Sequence, residues 1–258
     1  MKKIYWLILA ITTLPIRGLW AESIVSAEHP APEVRGDGYQ ATPGFRIDAS
    51  QPALIYKAPP AFGAHGTFSA WINLDDPASA SGPVFSAGSP ESGWMLLQVG
   101  EGRLTFLLAR GVKPYSGEGE CYLNLSAPID AIAAGRWHHI AVVWDANGPA
   151  QSLAALFIDG EVVEERPTTT LASGWGPETL FIGASSANAK APRLSATLDS
   201  VGVFAFAAPP DQIRELAAGK VEGASLFIDF GNGCEAQDLR ASDDDAAARA
   251  EARARWSR

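Results

Sequence analysis

Cysteine, histidine and methionine are scarce in this chain, with two, four and two among 258 residues, and each scarcity removes a class of chemistry. Neither Cys121 nor Cys234 has a further cysteine or a histidine at metal-ligand spacing, which excludes a structural zinc site. Serine-hydrolase elbows, P-loops and dinucleotide fingerprints are missing. No apolar run approaches the roughly 20 residues that a membrane-spanning helix needs. Basic residues are outnumbered as well: 20 Lys and Arg against 29 Asp and Glu give a net charge of −9. A surface of that sign repels phosphate backbones, so nucleic acid is excluded as a partner. The same sign attracts cations, and it is also an ordinary route to solubility.

What is present is apolar material, 47% of the residues, enough for a sizeable core in a single sandwich-type domain. The N-terminus stands apart from it. Met1-Lys2-Lys3 is a charged start, Ile4 to Leu14 is a short apolar stretch, and Leu19-Trp20-Ala21 and Val25-Ser26-Ala27 are small-residue cleavage contexts. Residues 1–27 therefore read as a secretory signal peptide cut after Ala21 or Ala27. Neither site has a cysteine nearby, which argues against a lipid anchor. Export places the protein outside the cell, in the periplasm or at the cell surface, with no transmembrane segment in the mature chain. Without Lys2, Lys3 and Arg17 the 20 basic residues fall to 17 against 29 acidic ones, a net charge of about −12. In an oxidising compartment Cys121 and Cys234 are expected to pair, closing a loop of about 110 residues for roughly 4 kcal/mol. The alternative is two buried thiols.

The chain is organised around residues 135–160. His138 to Trp144 is rich in β-branched and aromatic residues, Asp145 to Pro149 punctuates it as a turn, and Leu153 to Ile158 is a second strand. Asp159-Gly160 before Val162-Val163 marks a two-residue hairpin, because such turns need positive φ. Upstream, residues 28–44 form a Pro- and Gly-rich leader loop. Phe45 to Ile47 and Ala53 to Tyr56 read as short strands. Thr67 to Leu74 alternates strictly, with Phe68, Ala70, Ile72 and Leu74 on a wholly apolar face and Thr67, Ser69, Trp71 and Asn73 on a mixed one. Strands follow at Val84 to Ala87, Trp94 to Val99, Arg103 to Leu108, Tyr122 to Leu125, Leu180 to Ile182 and Leu194 to Phe206, with a short helical turn expected at Ile129 to Ala134. Pro209-Pro210-Asp211 opens a helix near 210–218 with Ile213 and Leu216 on one face and Gly219 to end it. Residues 241–258 form a helical tail whose Asp245–Arg249 and Glu251–Arg255 spacings support it.

At Gly-Arg-Trp-His-His-Ile-Ala and Leu-Phe-Ile-Asp-Gly the chain resembles the laminin-G-like jelly rolls of the concanavalin A-like lectin/glucanase superfamily. Gly66 to Ile72, Leu180 to Gly183 and Leu198 to Phe204 resemble other strands of that family in the same order. The resemblance implies an all-β fold, a two-sheet antiparallel jelly-roll sandwich over residues 45–240. Ser225 to Gly233 resembles the strand that normally opens such a domain, so 225–231 either fills that place as a permuted first strand or begins a neighbouring domain. The family often holds a calcium ion at an acid of the late strand. Carried over, that acid is Asp199, joined by Asp238 and Asp229 if the C-terminal strand completes the fold. The alternative is that Asp199 caps the strand. The superfamily also includes glucanases, which need Glu-x-Asp-x-x-Glu or a close variant to set two carboxylates in one cleft. No Glu here has an Asp two residues later, and a single Asp199 cannot divide the two roles.

Adjacent on a strand, His138 and His139 face opposite ways and cannot share a metal. For ligand binding the loop aromatics remain: Trp175 in Gly-Trp-Gly, Tyr115 in the loop 110–120, and Trp94. An indole or phenol offers an apolar face to sugar C–H groups and a polar tip. The sequence thus points to an exported, non-catalytic module that recognises glycans or cell-surface polymers through rim loops. The alternative is a protein-protein or adhesion module of a cell-envelope assembly, and a remote one is a glycan-active enzyme without the usual paired carboxylates.

Overall fold

The computed structural model describes residues 39, 44–49, 53–57, 64–89, 93–110, 120–146, 153–168, 179–185, 193–220, 226–228 and 236–238. The expected signal peptide 1–27, nearly all of the expected leader 28–44 and the expected helical tail 241–258 lie outside them.

Strict alternation gives the first long strands. β3 (His65–Leu74) turns Phe68, Ala70, Ile72 and Leu74 inward, all fully buried. It pairs along its whole length with β8 (Trp137–Asp145), which contributes Ile140, Val142 and Trp144 to the same interior. β9 (Leu153–Ile158) and β10 (Glu161–Pro167) continue outward as a hairpin, and β12 (Ala196–Phe204) flanks β3 on its other side. The second sheet runs β2 (Leu54–Lys57), β11 (Thr179–Ile182), β4 (Gly82–Ser89), β5 (Gly93–Gly100), β6 (Arg103–Arg110) and β7 (Glu120–Pro128). Every pairing in both sheets is antiparallel.

The sheets close over one apolar interior, stitched by an aromatic chain that crosses between them. Phe68 of β3 stacks on Phe85 of β4 at 4.0 Å, and Phe106 of β6 meets Trp144 of β8 at 5.6 Å. Gly66 makes room for this: a Cβ there would stand 2.4 Å from the Trp144 ring. The two tightest turns fit the residues that form them. Glu101-Gly102 joins β5 to β6 and Asp159-Gly160 joins β9 to β10, all four with positive φ as a type I′ hairpin requires.

Helix α1 (Pro210–Ala217) begins with proline in its first turn and Asp211 near its positive end. Lys220 N–H donates to Glu215 O and Gly219 N–H to Leu216 O, both at 2.9 Å, a Schellman stop with Gly219 at φ 82°. Its Ile213 and Leu216 pack with Ala141, Val143, Phe157 and Phe204 on the outer face of the large sheet, forming a second, smaller core.

Several strands extend past their expected limits, because the ladder continues through the Gly, Ser and Pro residues that flank the apolar runs. The expected helical turn at Ile129 to Ala134 is instead a pair of hydrogen-bonded turns, with Ile132 N–H on Ile129 O at 2.8 Å and Arg136 N–H on Ala133 O at 3.3 Å. β12 has its free edge divided. β1 (Phe45–Ile47) pairs with Ala196 to Leu198, and β13 (Leu226–Ile228) pairs with Val201 to Val203. Between the two, Asp199 and Ser200 form a bulge where the register to β3 slips. β14 (Ala236–Asp238) pairs with β13 and ends the large sheet. Arg46 of β1 is anchored by both guanidinium nitrogens on the Asp75 carboxylate and by Ser195 Oγ at 2.9 Å.

Candidate functional site

The central motif is a clasp. Ala133 N–H donates to His138 Nε2 at 3.0 Å, which makes that nitrogen an acceptor and puts the ring proton on Nδ1. Nδ1–H then donates to Asp159 Oδ2 at 2.8 Å. Asp159 Oδ1 accepts the His139 N–H at 2.9 Å, and Asp159 N–H donates to His139 O at 2.7 Å. One carboxylate thus ties the β9–β10 turn, β8 and the 129–136 loop together. His138 is engaged on both nitrogens in holding the fold and has no lone pair left for a substrate.

The neighbouring side chain has a different situation. Strand register sets Asp199 of β12, Trp71 of β3 and His139 of β8 in one row, on the outer face opposite Ile72 and Ile140. Asp199 is 0% exposed, His139 1% and Trp71 8%. The Asp199 carboxylate Oδ1 accepts Ser200 N–H at 2.6 Å and the Ser200 hydroxyl at 3.3 Å. Ser200 reaches it because the bulge holds its backbone at φ 50°. The rings of Trp71 and His139 meet edge to face at 5.6 Å. His139 Nδ1 is buried with no hydrogen-bond partner. Burial lowers the His139 pKa to about 4 against a smaller opposing pull from the Asp159 charge, so the ring is neutral at neutral pH. Tyr39 lies flat over Trp71, with ring centroids 3.5 Å apart and planes 11° from parallel.

The expected site residues fall in different places. Trp175, Tyr115, Asp229 and Cys234 lie outside the described residues. Trp94 is corrected: it sits within β5 and not on a rim loop, 3% exposed in a cluster with Leu96, Leu107 and Ala109, its Nε1 unpartnered. Strand alternation sends it to the outer face of the small sheet, where it is shielded all the same. Asp238 closes β14 in register with Leu226 and hence with Val203, two strands over and four residues along from Asp199. That separation is about 15 Å, whereas calcium draws its oxygens to about 2.3–2.6 Å. Asp199 is also spoken for by Ser200. Among the described residues no three His, Cys, Asp or Glu side chains form a metal-binding group, and Asp229 lies outside those residues. Cys121 lies on β7, which packs beside β9 and β10.

Sequence reasoning missed Trp71, His139 and Tyr39 as a group. The alternation of β3 does place Trp71 on the mixed face, which was the available signal. Nothing in the leader marks Tyr39 as its partner.

Residues 50–214 match a laminin-G family model described as the concanavalin A-like lectin/glucanases superfamily. Comparison with curated protein sequences finds no match. Among solved structures, domain 4 of AbnA, an extracellular arabinanase from Geobacillus stearothermophilus in complex with arabinotriose, is similar with a TM-score of 0.53 and 15% identity over 75% of this chain and 84% of that one. The receptor binding domain of botulinum neurotoxin C/D mosaic serotype gives 0.54 and 12% over 74% and 45%. The botulinum neurotoxin serotype D binding domain gives 0.52 and 13% over 70% and 43%. The chain spans less than half the length of these neurotoxin chains, and at such identities the likeness is one of fold. Among the described residues no helix is long and apolar enough to cross a membrane.

Proposed function

The chain belongs to the concanavalin A-like lectin/glucanases superfamily, and from that membership we propose that it is an exported, non-catalytic module that binds glycans or cell-surface polymers. The observation that carries the non-catalytic reading is the state of Asp199. Cleavage of a glycosidic bond divides work between two carboxyl groups about 5 Å apart, or about 6.5–9.5 Å apart in inverting enzymes. Asp199 is buried and bonded to Ser200, and the alternate positions beside it on β12 are Thr197 and Val201, neither of which can serve as the second acid. A similar fold in an arabinanase domain solved with arabinotriose supports saccharide binding as the role of such a module. The contacts are assigned to rim loops through Trp175 and Tyr115, whose flat apolar faces suit sugar C–H groups.

The test is binding of the full chain to immobilised laminarin, xylan, arabinan, chitin and peptidoglycan, with reducing-end release measured in parallel. One polymer is expected to be retained, Trp175→Ala to weaken retention about tenfold or more, and no reducing ends to appear. Polymer cleavage would overturn the reading. So would retention unchanged in both Trp175→Ala and Tyr115→Ala. Capture of a defined envelope protein through residues 243–258, with no polymer retained, would replace it with the adhesion alternative.

A further inference from the structure

The turn that joins β9 to β10 contains a reactive backbone link. In Asp159-Gly160 the side-chain carbon Cγ can close a five-membered ring with the next residue's amide nitrogen, and glycine has no side chain to obstruct that approach. The fold requires the glycine. Gly160 has φ 82°, and a Cβ on it would stand 3.3 Å from Arg214 and Ala217 of α1, so a bulkier residue that would slow the attack has no place here. The Asp159 side chain is 48% exposed, which lets water reach it.

The turn is also one step from the geometry in which the ring closes. Asp159 has φ 52° and Gly160 φ 82°, the type I′ pattern, in which the Gly160 nitrogen points away from the Asp159 side chain. A type II′ turn keeps positive φ at its first residue and closes the same two-residue hairpin. Passing from one to the other flips the central peptide and swings the nitrogen round beside the Asp159 Cβ. What opposes closure is the clasp: Oδ2 is tied to His138 Nδ1–H at 2.8 Å and Oδ1 to the His139 N–H at 2.9 Å, both on β8. The carboxyl group must let go of these before it can turn to its own chain.

We propose that Asp159-Gly160 is a site of spontaneous backbone isomerisation, and that the hydrogen bond from His138 is the latch that sets its rate. The Gly160 nitrogen bonds to Asp159 Cγ and gives up its proton. The carboxyl group, in its protonated form, loses one oxygen, which leaves as water with that proton and its own. The product is a cyclic imide, and one water molecule reopens it. Addition at Cγ restores aspartate; addition at the α-carbonyl leaves the chain running through Cβ and Cγ as isoaspartate. No oxidant or other reagent enters, and the mass is unchanged. The extra backbone carbon lengthens a turn built for two residues, and the carboxylate moves to Cα, so the clasp is not remade.

Parent, His138→Phe and His138→Asn chains are incubated at neutral pH, folded and in unfolding urea, and isoaspartate at residue 159 is measured by peptide mapping. Mapping separates it from Asp37-Gly38 and Asn147-Gly148, which carry related chemistry elsewhere in the sequence. Asparagine sets an amide donor where histidine has Nδ1, so that variant keeps the tie and phenylalanine loses it. The folded parent is expected to isomerise at least about tenfold more slowly than the unfolded one, and His138→Phe to recover about tenfold, the worth of one hydrogen bond to a charged group, with His138→Asn within about twofold of the parent. Urea below the unfolding transition separates release of the turn from global unfolding, and the folded His138→Phe rate should stay level there. The proposal is overturned if folded and unfolded parent react alike, or if His138→Phe keeps the parent's rate. It is equally overturned if the two variants rise together, or if the His138→Phe rate climbs with urea in step with global unfolding. Circular dichroism checks the fold, and His138→Leu takes the place of His138→Phe if that chain is unfolded.

Discussion

A histidine in water takes its proton near pH 6.5, and His139 resists it until about 4 because a charged imidazole in that position would have no solvent around it. Above pH 6.5 both the folded and the unfolded chain carry the ring neutral. As the pH falls from 6.5 towards 4 the unfolded chain binds a proton that the folded one refuses, so stability declines across that window by as much as about 3 kcal/mol. The folded pKa lies below the unfolded one, so the stability is present at neutral pH and lost on acidification. Urea melts of the parent chain and His139→Phe at pH 7 and pH 4.5 measure this. The parent is expected to lose roughly 2–3 kcal/mol more than the variant between the two, and parallel losses would contradict it. Little of this was legible in the sequence. The pattern Thr67, Ser69, Trp71, Asn73 put an indole on the mixed face of β3, and adjacency put His138 and His139 on opposite sides. Which histidine would be bonded on both nitrogens and which left with an orphan atom depended on Asp159 and Ala133, which only the folded turns bring within reach.

The β8, β9 and β10 hairpins are where elements and sequence agree best. Asp159-Gly160 dictates its own turn through positive φ, and the alternation of β3 and β8 dictates which face meets the core. The reason the family-like motif reads Trp-His-His-Ile-Ala and Leu-Phe-Ile-Asp-Gly is visible in the clasp: Asp159 accepts from the His138 ring and from the His139 backbone. Asp159→Ala leaves both donors without their acceptor and is expected to cost roughly 2–3 kcal/mol, with Asp159→Asn, which keeps one acceptor, losing about half as much. Chemical denaturation of the three chains decides it, and a loss under about 0.5 kcal/mol in Asp159→Ala would show that the clasp contributes nothing. Short strands were harder to place. β13 spans only Leu226 to Ile228, and its position beside β12 follows from which edge was left open by β1, a fact of tertiary structure with no local signature.

At the scale of the whole molecule, that divided edge is the main structural debt. The stretch Val201 to Val203 is covered on one side only by β13. A chain ending at Lys220 would leave its N–H and C=O groups open beside a large antiparallel sheet, a template for pairing with another copy. It is expected to melt several degrees lower than the full chain and to associate in a concentration-dependent way in light-scattering measurements. A monodisperse truncated chain with unchanged melting would show that β13 is dispensable. The fold class was legible throughout, because alternation and turn chemistry repeat along the chain. The side-chain contacts on the outer face of the large sheet were not, since they rest on Tyr39 crossing to Trp71 and on a register slip at Asp199-Ser200 that no local pattern records.

The same shared edge also sets a timetable. Arg46 and Ser195, which bond across the start of β12, are 149 positions apart, so a polypeptide emerging N-terminus first carries Phe45 to Ile47 without its partner until Ala196 to Leu198 have been made, and Val201 to Val203 waits in turn for Leu226 to Ile228. Long-range pairing of this kind is slow and leaves sticky intermediates. Closure of that edge waits until Leu226 to Ile228 have been made.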